Sequence, residues 1–266
     1  MDAQKLSYVD LRRAADGVAV IPMGSFEAHG PHLPCGTDSL LVEAMVARAA
    51  AASDERRVVV FPTVDYSLVE WARPLASAGV APATLLEKLA DIARDVHGIG
   101  FRRIVYVQGH GNMPATQLAL WRVWSEGARA MYVDACPYVM AAEQVEQAAG
   151  QQVGHGGLIE TAMMLAAHPE LVDMSKAVDG PDDLWGERSP FASLRGRAGV
   201  FCIPSIASVP DGVIGRATAA TAELGEQMLE IHASVLAELF NDLLARPVPP
   251  EFLEPFGKGL PDEAGN

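Results

Sequence analysis

The run Val18-Ala19-Val20-Ile21-Pro22 leads into Gly24-Ser25-Phe26-Glu27-Ala28-His29-Gly30-Pro31-His32-Leu33-Pro34-Cys35-Gly36-Thr37-Asp38, and Leu40 to Ala52 then reads as a helix. A short buried strand, a loop and a helix in this order are the opening unit of an α/β chain. The loop is rich in Gly and Pro, and between Glu27 and Asp38 it holds two carboxylates, two histidines and Cys35. Backbone of that kind does not support itself. Carboxylate oxygens and imidazole nitrogens at this density are the ligands a divalent cation takes.

The remaining chain repeats the alternation. Residues 1–17 read as an entry helix with Tyr8, Leu11 and Ala15 on one face. Arg57–Phe61 reads as a second strand stopped by Pro62, residues 63–82 as irregular, and Thr84–Ile99 as an amphipathic helix. Arg103–Val107 is a third strand running into Gln108-Gly109-His110-Gly111-Asn112, followed by a helix over Pro114–Glu126. Ala130–Asp134 reads as a fourth strand and residues 139–149 as a helix, after which a Gly/Gln loop leads to His155-Gly156-Gly157. Leu158–Ala167 is helical and stops at His168-Pro169. Phe201-Cys202-Ile203 reads as a strand in a loop-rich region, and Ala217–Leu244 as a long helix. The pattern predicts an α/β fold, a mostly parallel sheet between helical layers, in one domain over 1–245 with a Pro-rich tail over 246–266.

Composition narrows the function. The formal net charge of −14 argues against a nucleic-acid partner, since phosphate binding rests on Lys and Arg. No apolar run reaches the roughly 18 residues of a membrane helix. The N-terminus lacks the layout of a secretory signal, and three widely spaced cysteines make no disulfide framework, so the expected location is cytoplasmic. There is no G-x-S-x-G elbow, and no G-x-G-x-x-G follows the first strand.

Glu27, His29 and Asp38 follow the first strand, His110 follows the third, and His155 and Glu160 open a later helix. In a parallel sheet the strands' C-terminal ends share one edge, so these loops are able to meet. Three carboxylates and three imidazoles suffice for two ions sharing a bridging carboxylate. Taken singly, each has a plainer reading: a hydrogen-bonded structural histidine, a glutamate capping a turn, Asp38 or Ser39 as the N-cap of the next helix. His32 and Cys35 read as packing or supporting groups, and a Cys35/His32 nucleophilic pair ranks below the cations. The combination favours a metal centre acting on a small molecule. The alternative is a non-catalytic metal-stabilised binding protein.

These segments also resemble a known family. Gly24 to Pro34 with Thr37-Asp38 resembles the opening signature of the creatininase (creatinine amidohydrolase) family, and Gly109-His110-Gly111 its second motif. His155-Gly156-Gly157-Leu158-Ile159-Glu160-Thr161 resembles its third and Gly212-Val213-Ile214-Gly215 a weaker fourth. The resemblance implies a three-layer αβα domain assembled as a homohexamer, with two divalent ions per chain, zinc before manganese or iron. By position it implies Glu27 and His110 on one ion, His29 on the other, Asp38 between them, His155 as the proton-transferring histidine, and Glu160 as a ligand or a supporting catalytic carboxylate. The implied reaction is hydrolysis of an amide C–N bond in a small, often cyclic, polar substrate, with Lewis-acid cleavage of a C–C bond in a cyclic ketone such as a keto-inositol or sugar derivative as the alternative. Asn112 stands where creatininase has a Glu ligand, which leaves Glu160 to complete the second ion or the site with one ion. The loop before His155 has no tryptophan to stack on a flat substrate, leaving Trp71 or Trp185 to enter from elsewhere.

Overall fold

The structure, a computed structural model, describes residues 1–54, 56–70, 72–111, 113–151, 153–181, 209 and 211–253. Four strands, β1 (Val18–Met23), β2 (Val58–Val60), β3 (Arg103–Gln108) and β4 (Met131–Ala135), form one sheet in the order β2-β1-β3-β4. All three pairings are parallel, with Ala19 opposite Ile104 and Arg103 opposite Met131. Every residue of β1 and β3 is buried, as expected of strands covered on both faces. Pro22 sits in a central strand because its missing N–H faces the β2 side, where β2 has already ended at Val60.

The strand side chains divide two cores. Val18, Val20, Val105 and Val107 pack with α2 (Thr37–Ala51), α7 (Leu158–Ala167) and α8 (Ala222–Ala245). Ala19, Ile21, Ile104 and Tyr106 pack with α3 (Pro82–Ile99) and α4 (Met113–Ser125) on the opposite face. The result is the expected three-layer αβα arrangement. The crossover through α2 therefore leaves on one face and those through α3 and α4 on the other. Such a reversal opens a crevice between the loops that follow β1 and β3.

Several expected boundaries move. The entry segment is a 3₁₀ turn (Ala3–Lys5) and a short α1 (Tyr8–Arg13) that starts where Ser7 Oγ accepts from the Asp10 amide. Tyr8 is 77% exposed, so it does not face the core as its spacing suggested. The helix read over 139–149 is two, α5 (Pro137–Met140) and α6 (Ala142–Ala149), broken at the fully buried Ala141. The last helix starts later than read: Ala217–Ala219 is a 3₁₀ turn, and Thr221, extended and capping the Leu224 amide, begins α8. Pro250–Phe252 forms another 3₁₀ turn, whose Phe252 ring meets Trp124 edge-on at 5.1 Å. The strand read at Phe201-Cys202-Ile203 lies outside the described residues. No helix among them is long and apolar enough to cross a membrane.

The α7–α8 contact carries the third ligand segment, and it is close. A Cβ on Gly225 would stand 1.8 Å from the Ala162 carbonyl oxygen, so only glycine lets α8 approach α7 there. Gly225→Ala is expected to destabilise the protein by about 1–3 kcal/mol through overpacking, read as a fall in the thermal or denaturant midpoint. An unchanged midpoint would show that α7 yields freely.

Candidate metal centre

Each ligand-type side chain leaves a strand end or opens a helix. After β1 the chain cannot continue the ladder, and the Glu27 amide is held by the Cys35 carbonyl across the loop. Helix α2 then begins at Thr37 with Gly36 before it and no side-chain cap. Asp38 is therefore not the N-cap that its position suggested, and neither is Ser39. The Asp38 carboxylate turns into the crevice instead, taking the Ser25 hydroxyl on Oδ2 at 2.7 Å. After β3, a Cβ on Gly109 would lie 2.7 Å from the Asp38 carbonyl oxygen, so glycine there allows the second loop to close on the first.

The six predicted residues meet. His29 Nε2 lies 3.0 Å from Asp38 Oδ1 and 3.8 Å from Glu160 Oε2. His110 Nδ1 lies 2.9 Å from Asp38 Oδ2 and 3.1 Å from Glu27 Oε1. His155 Nδ1 is 3.7 Å from Glu27 Oε1, and its ring stacks on His29 at 4.1 Å between centroids. Among the described residues, three groups bring a ligand atom from each member within 4.8 Å of the others: Glu27, Asp38 and His110; His29, Asp38 and Glu160; Glu27, His29 and His155. Glu27, His29 and Asp38 each belong to two of them, and Asp38 is the member shared by the first and second.

The far nitrogen of each ring explains the poses. His29 Nδ1 donates to the Glu27 carbonyl at 3.0 Å, His110 Nε2 to the Leu68 carbonyl at 2.7 Å, and His155 Nε2 to the Ala28 carbonyl at 2.8 Å. A carbonyl only accepts, so the hydrogen is on that nitrogen and the opposite one faces the carboxylates. A neutral imidazole then points a lone pair at an anion, which is repulsive unless a cation lies between. Without a metal that cation is a proton. Burial opposes charging His29, but the Asp38 carboxylate, with Glu160 and Glu27 behind it, raises its pKa to about 10. His110 is likewise pushed well up against its burial by Glu27 and Asp38. Burial tends to raise Asp38, yet His29 and His110 hold it well below the usual carboxylate range. Glu160, buried and only partly compensated by His29, is raised to about 7.

One atom tests whether a metal fits. Glu27 Oε2 is buried and has no hydrogen-bond partner among the described residues. Leaving a carboxylate oxygen dry and unpaired is costly, and a divalent cation shared with Asp38 and His110 would satisfy it. Glu27, Asp38 and Glu160 are 1%, 2% and 5% exposed. The donor set of carboxylates and imidazoles suits zinc, manganese or iron.

Several supporting groups carried no sequence signal. Ser25 carries no ligand-type side chain, and only the fold aims its hydroxyl at Asp38. The Glu27, Ala28 and Leu68 carbonyls are main chain, and only the fold brings them to the rings. His32 Nε2 bonds Thr161 Oγ1 at 2.8 Å rather than activating Cys35, which does not favour the nucleophilic-pair reading. Trp71, Asn112 and Trp185 lie outside the described residues. A groove of about 520 Å³ lined by Trp121, Trp124, Tyr132 and Phe252 contains none of the six site residues.

The comparisons bear on the whole chain. The sequence pattern of Creatininase, described as creatinine amidohydrolase, matches residues 4–240. The chain belongs to the creatininase family. It is 27% identical to the creatinine amidohydrolase of Pseudomonas putida over 248 residues, 86% of this chain and 90% of that one. It is 30% identical to the mycofactocin precursor peptide peptidase of Mycolicibacterium smegmatis (strain ATCC 700084 / mc(2)155) over 231 residues, 84% of this chain and 81% of that one. A solved structure described as "Creatininase Mn" superposes with a TM-score of 0.76 at 23% identity, covering 92% of this chain and 99% of that one, and this likeness carries the fold.

Stripping divalent ions with a chelator is expected to lower the melting temperature. Zinc or manganese restored to a hundred times its dissociation constant should return about 2.7 kcal/mol of stability. A melting curve indifferent to both treatments would contradict a cation site in this crevice.

Proposed function

We propose that this creatininase-family hydrolase is a metal-dependent amidohydrolase that cleaves a C–N bond in a small polar substrate. The carrying observation is that Asp38 belongs to two ligand groups at once, one with Glu27 and His110 and the other with His29 and Glu160. The family match supports it. So do the names of the two relatives, an amidohydrolase and a peptidase, which share an amide-type C–N bond.

In this reading Glu27, Asp38 and His110 would hold one divalent ion, and His29, Asp38 and Glu160 would hold a second. When bound, such ions would supply Lewis acidity, lowering the pKa of water towards about 7 and polarising a carbonyl oxygen. Ser25 orients Asp38 by donating to Oδ2, and the Gly156 amide orients Glu160 by donating to Oε2 at 2.6 Å. The three backbone carbonyls fix the three rings.

His155 moves the proton. In the metal-free protein burial, reinforced by the charge of His29, pushes its pKa down to about 3, so the ring is neutral there. With Nε2–H given to the Ala28 carbonyl, Nδ1 is the nitrogen turned towards the site. It takes the proton that the attacking water loses and passes it to the departing nitrogen as the C–N bond breaks. The same burial that keeps the ring neutral makes its protonated form a strong donor. Placement, rather than basicity, is its contribution.

A panel of formamides, lactams and short peptide amides, with a keto-cyclitol as the contrasting substrate, tests the bond class. On whichever amide is turned over, His155→Ala is expected to lose about 10²–10⁴-fold in kcat while retaining its metal content. Full turnover per bound ion in that variant would remove His155 from the mechanism. Turnover of the keto-cyclitol alone would replace the amide reading.

A further inference from the structure

His32 has no part in the chemistry above, although it lies in the ligand loop and is 2% exposed. Its Nε2 is 2.8 Å from Thr161 Oγ1, and that oxygen is 3.2 Å from the Gly156 carbonyl. The other ring nitrogen, Nδ1, is buried with no hydrogen-bond partner among the described residues. These three facts orient the chain of bonds. A hydrogen on Nδ1 would be a buried unpaired donor, and Thr161 would then have to donate to His32, leaving its oxygen facing the Gly156 carbonyl with no hydrogen between. A hydrogen on Nε2 avoids both costs: His32 donates to Thr161, and Thr161 donates to Gly156.

Gly156 is gripped at both ends. Its carbonyl accepts from Thr161, and its amide donates to Glu160 Oε2 at 2.6 Å. It is in the left-handed region at φ +56°, and a Cβ there would lie 2.8 Å from the His29 carbonyl oxygen. Gly156 follows His155 directly, and its amide carries the hydrogen bond that aims Glu160. Its position therefore sets two site groups together, relative to His29 across the crevice.

We propose that His32 is a positioning residue that, through Thr161, locks the Gly156 peptide and so sets Glu160 and His155 against the ligands of the first loop. The lock ties two segments 129 residues apart. The proposal rests on the metal-centre reading for its consequence and on the structure alone for the contact. It does not require His32 to touch a cation or a substrate.

The test separates the two. Histidine ring ¹⁵N spectra of the metal-free protein should show His32 as the Nε2–H tautomer, and the Gly156 amide should exchange slowly. In His32→Leu and Thr161→Val the Gly156 amide should exchange faster, whereas Thr161→Ser and His32→Gln, which keep the hydroxyl and a donor at the Nε2 position, should restore protection. Zinc titration of the same proteins should show the leucine and valine variants weakened about 10–100-fold at one site, the usual effect of losing an outer partner. The serine and glutamine variants should match wild type, and His32→Leu combined with Thr161→Val should be no worse than either alone. An Nδ1–H tautomer, unchanged Gly156 exchange in a folded Thr161→Val, or additive losses in the double variant would overturn the lock. Wild-type protein that takes up no zinc would overturn the metal reading while leaving the tautomer and exchange results to decide the contact.

Discussion

The structure depends on holding three carboxylates together out of bulk solvent. Glu27, Asp38 and Glu160 are nearly fully buried within one crevice, and like charges in a poorly solvated site repel strongly. Only positive charge placed among them makes the arrangement favourable. The imidazoles of His29 and His110 provide it as protons when nothing else does, and the unpaired Glu27 Oε2 marks where protons alone fall short. A cation bound among them would relieve this incompletely satisfied charge.

The sheet makes such a site possible. The order β2-β1-β3-β4 reverses direction between β1 and β3, so the loops after these two strands face each other across a gap. The first loop brings Glu27 and His29, the start of α2 brings Asp38, and the second loop brings His110. The third segment arrives by a different route. His155 pairs in an isolated antiparallel bridge with Ile214, and α7, seated on α8 at Gly225, presents Glu160 from its first turn. Packing energy in the two hydrophobic layers thus offsets the electrostatic cost at the sheet edge.

Much of this was legible in the sequence, for identifiable reasons. Strands buried on both faces read as apolar runs, which places β1 and β3 to within a residue of their ends, and the half-buried β4 is read one residue early. Helix α7 was placed at both ends, bounded by the Gly156-Gly157 pair and His168-Pro169. The density of ligand-type residues on loops at strand ends pointed to the crevice. Boundaries set by main-chain geometry were not legible: the turn at Ala141 involves an ordinary helix-forming residue, and α2 starts without the side-chain cap that Asp38 and Ser39 offered. The support of the rings was illegible for a related reason. The Glu27, Ala28 and Leu68 carbonyls belong to the backbone, which every residue has, and the His32–Thr161 bond spans a separation that no local pattern encodes.

The family match connects this chain to its relatives. Family membership supplies hydrolysis, and the residues at the crevice supply a reason why a cation and a neutral histidine would act side by side on an amide bond. The central claim is that two cations share Asp38. Anomalous diffraction at the zinc edge from crystals of the zinc-loaded protein tests it most directly. The account predicts two peaks flanking the Asp38 carboxylate, one beside Glu27 and His110 and the other beside His29 and Glu160; a single peak away from Asp38, or none in this crevice, would contradict it.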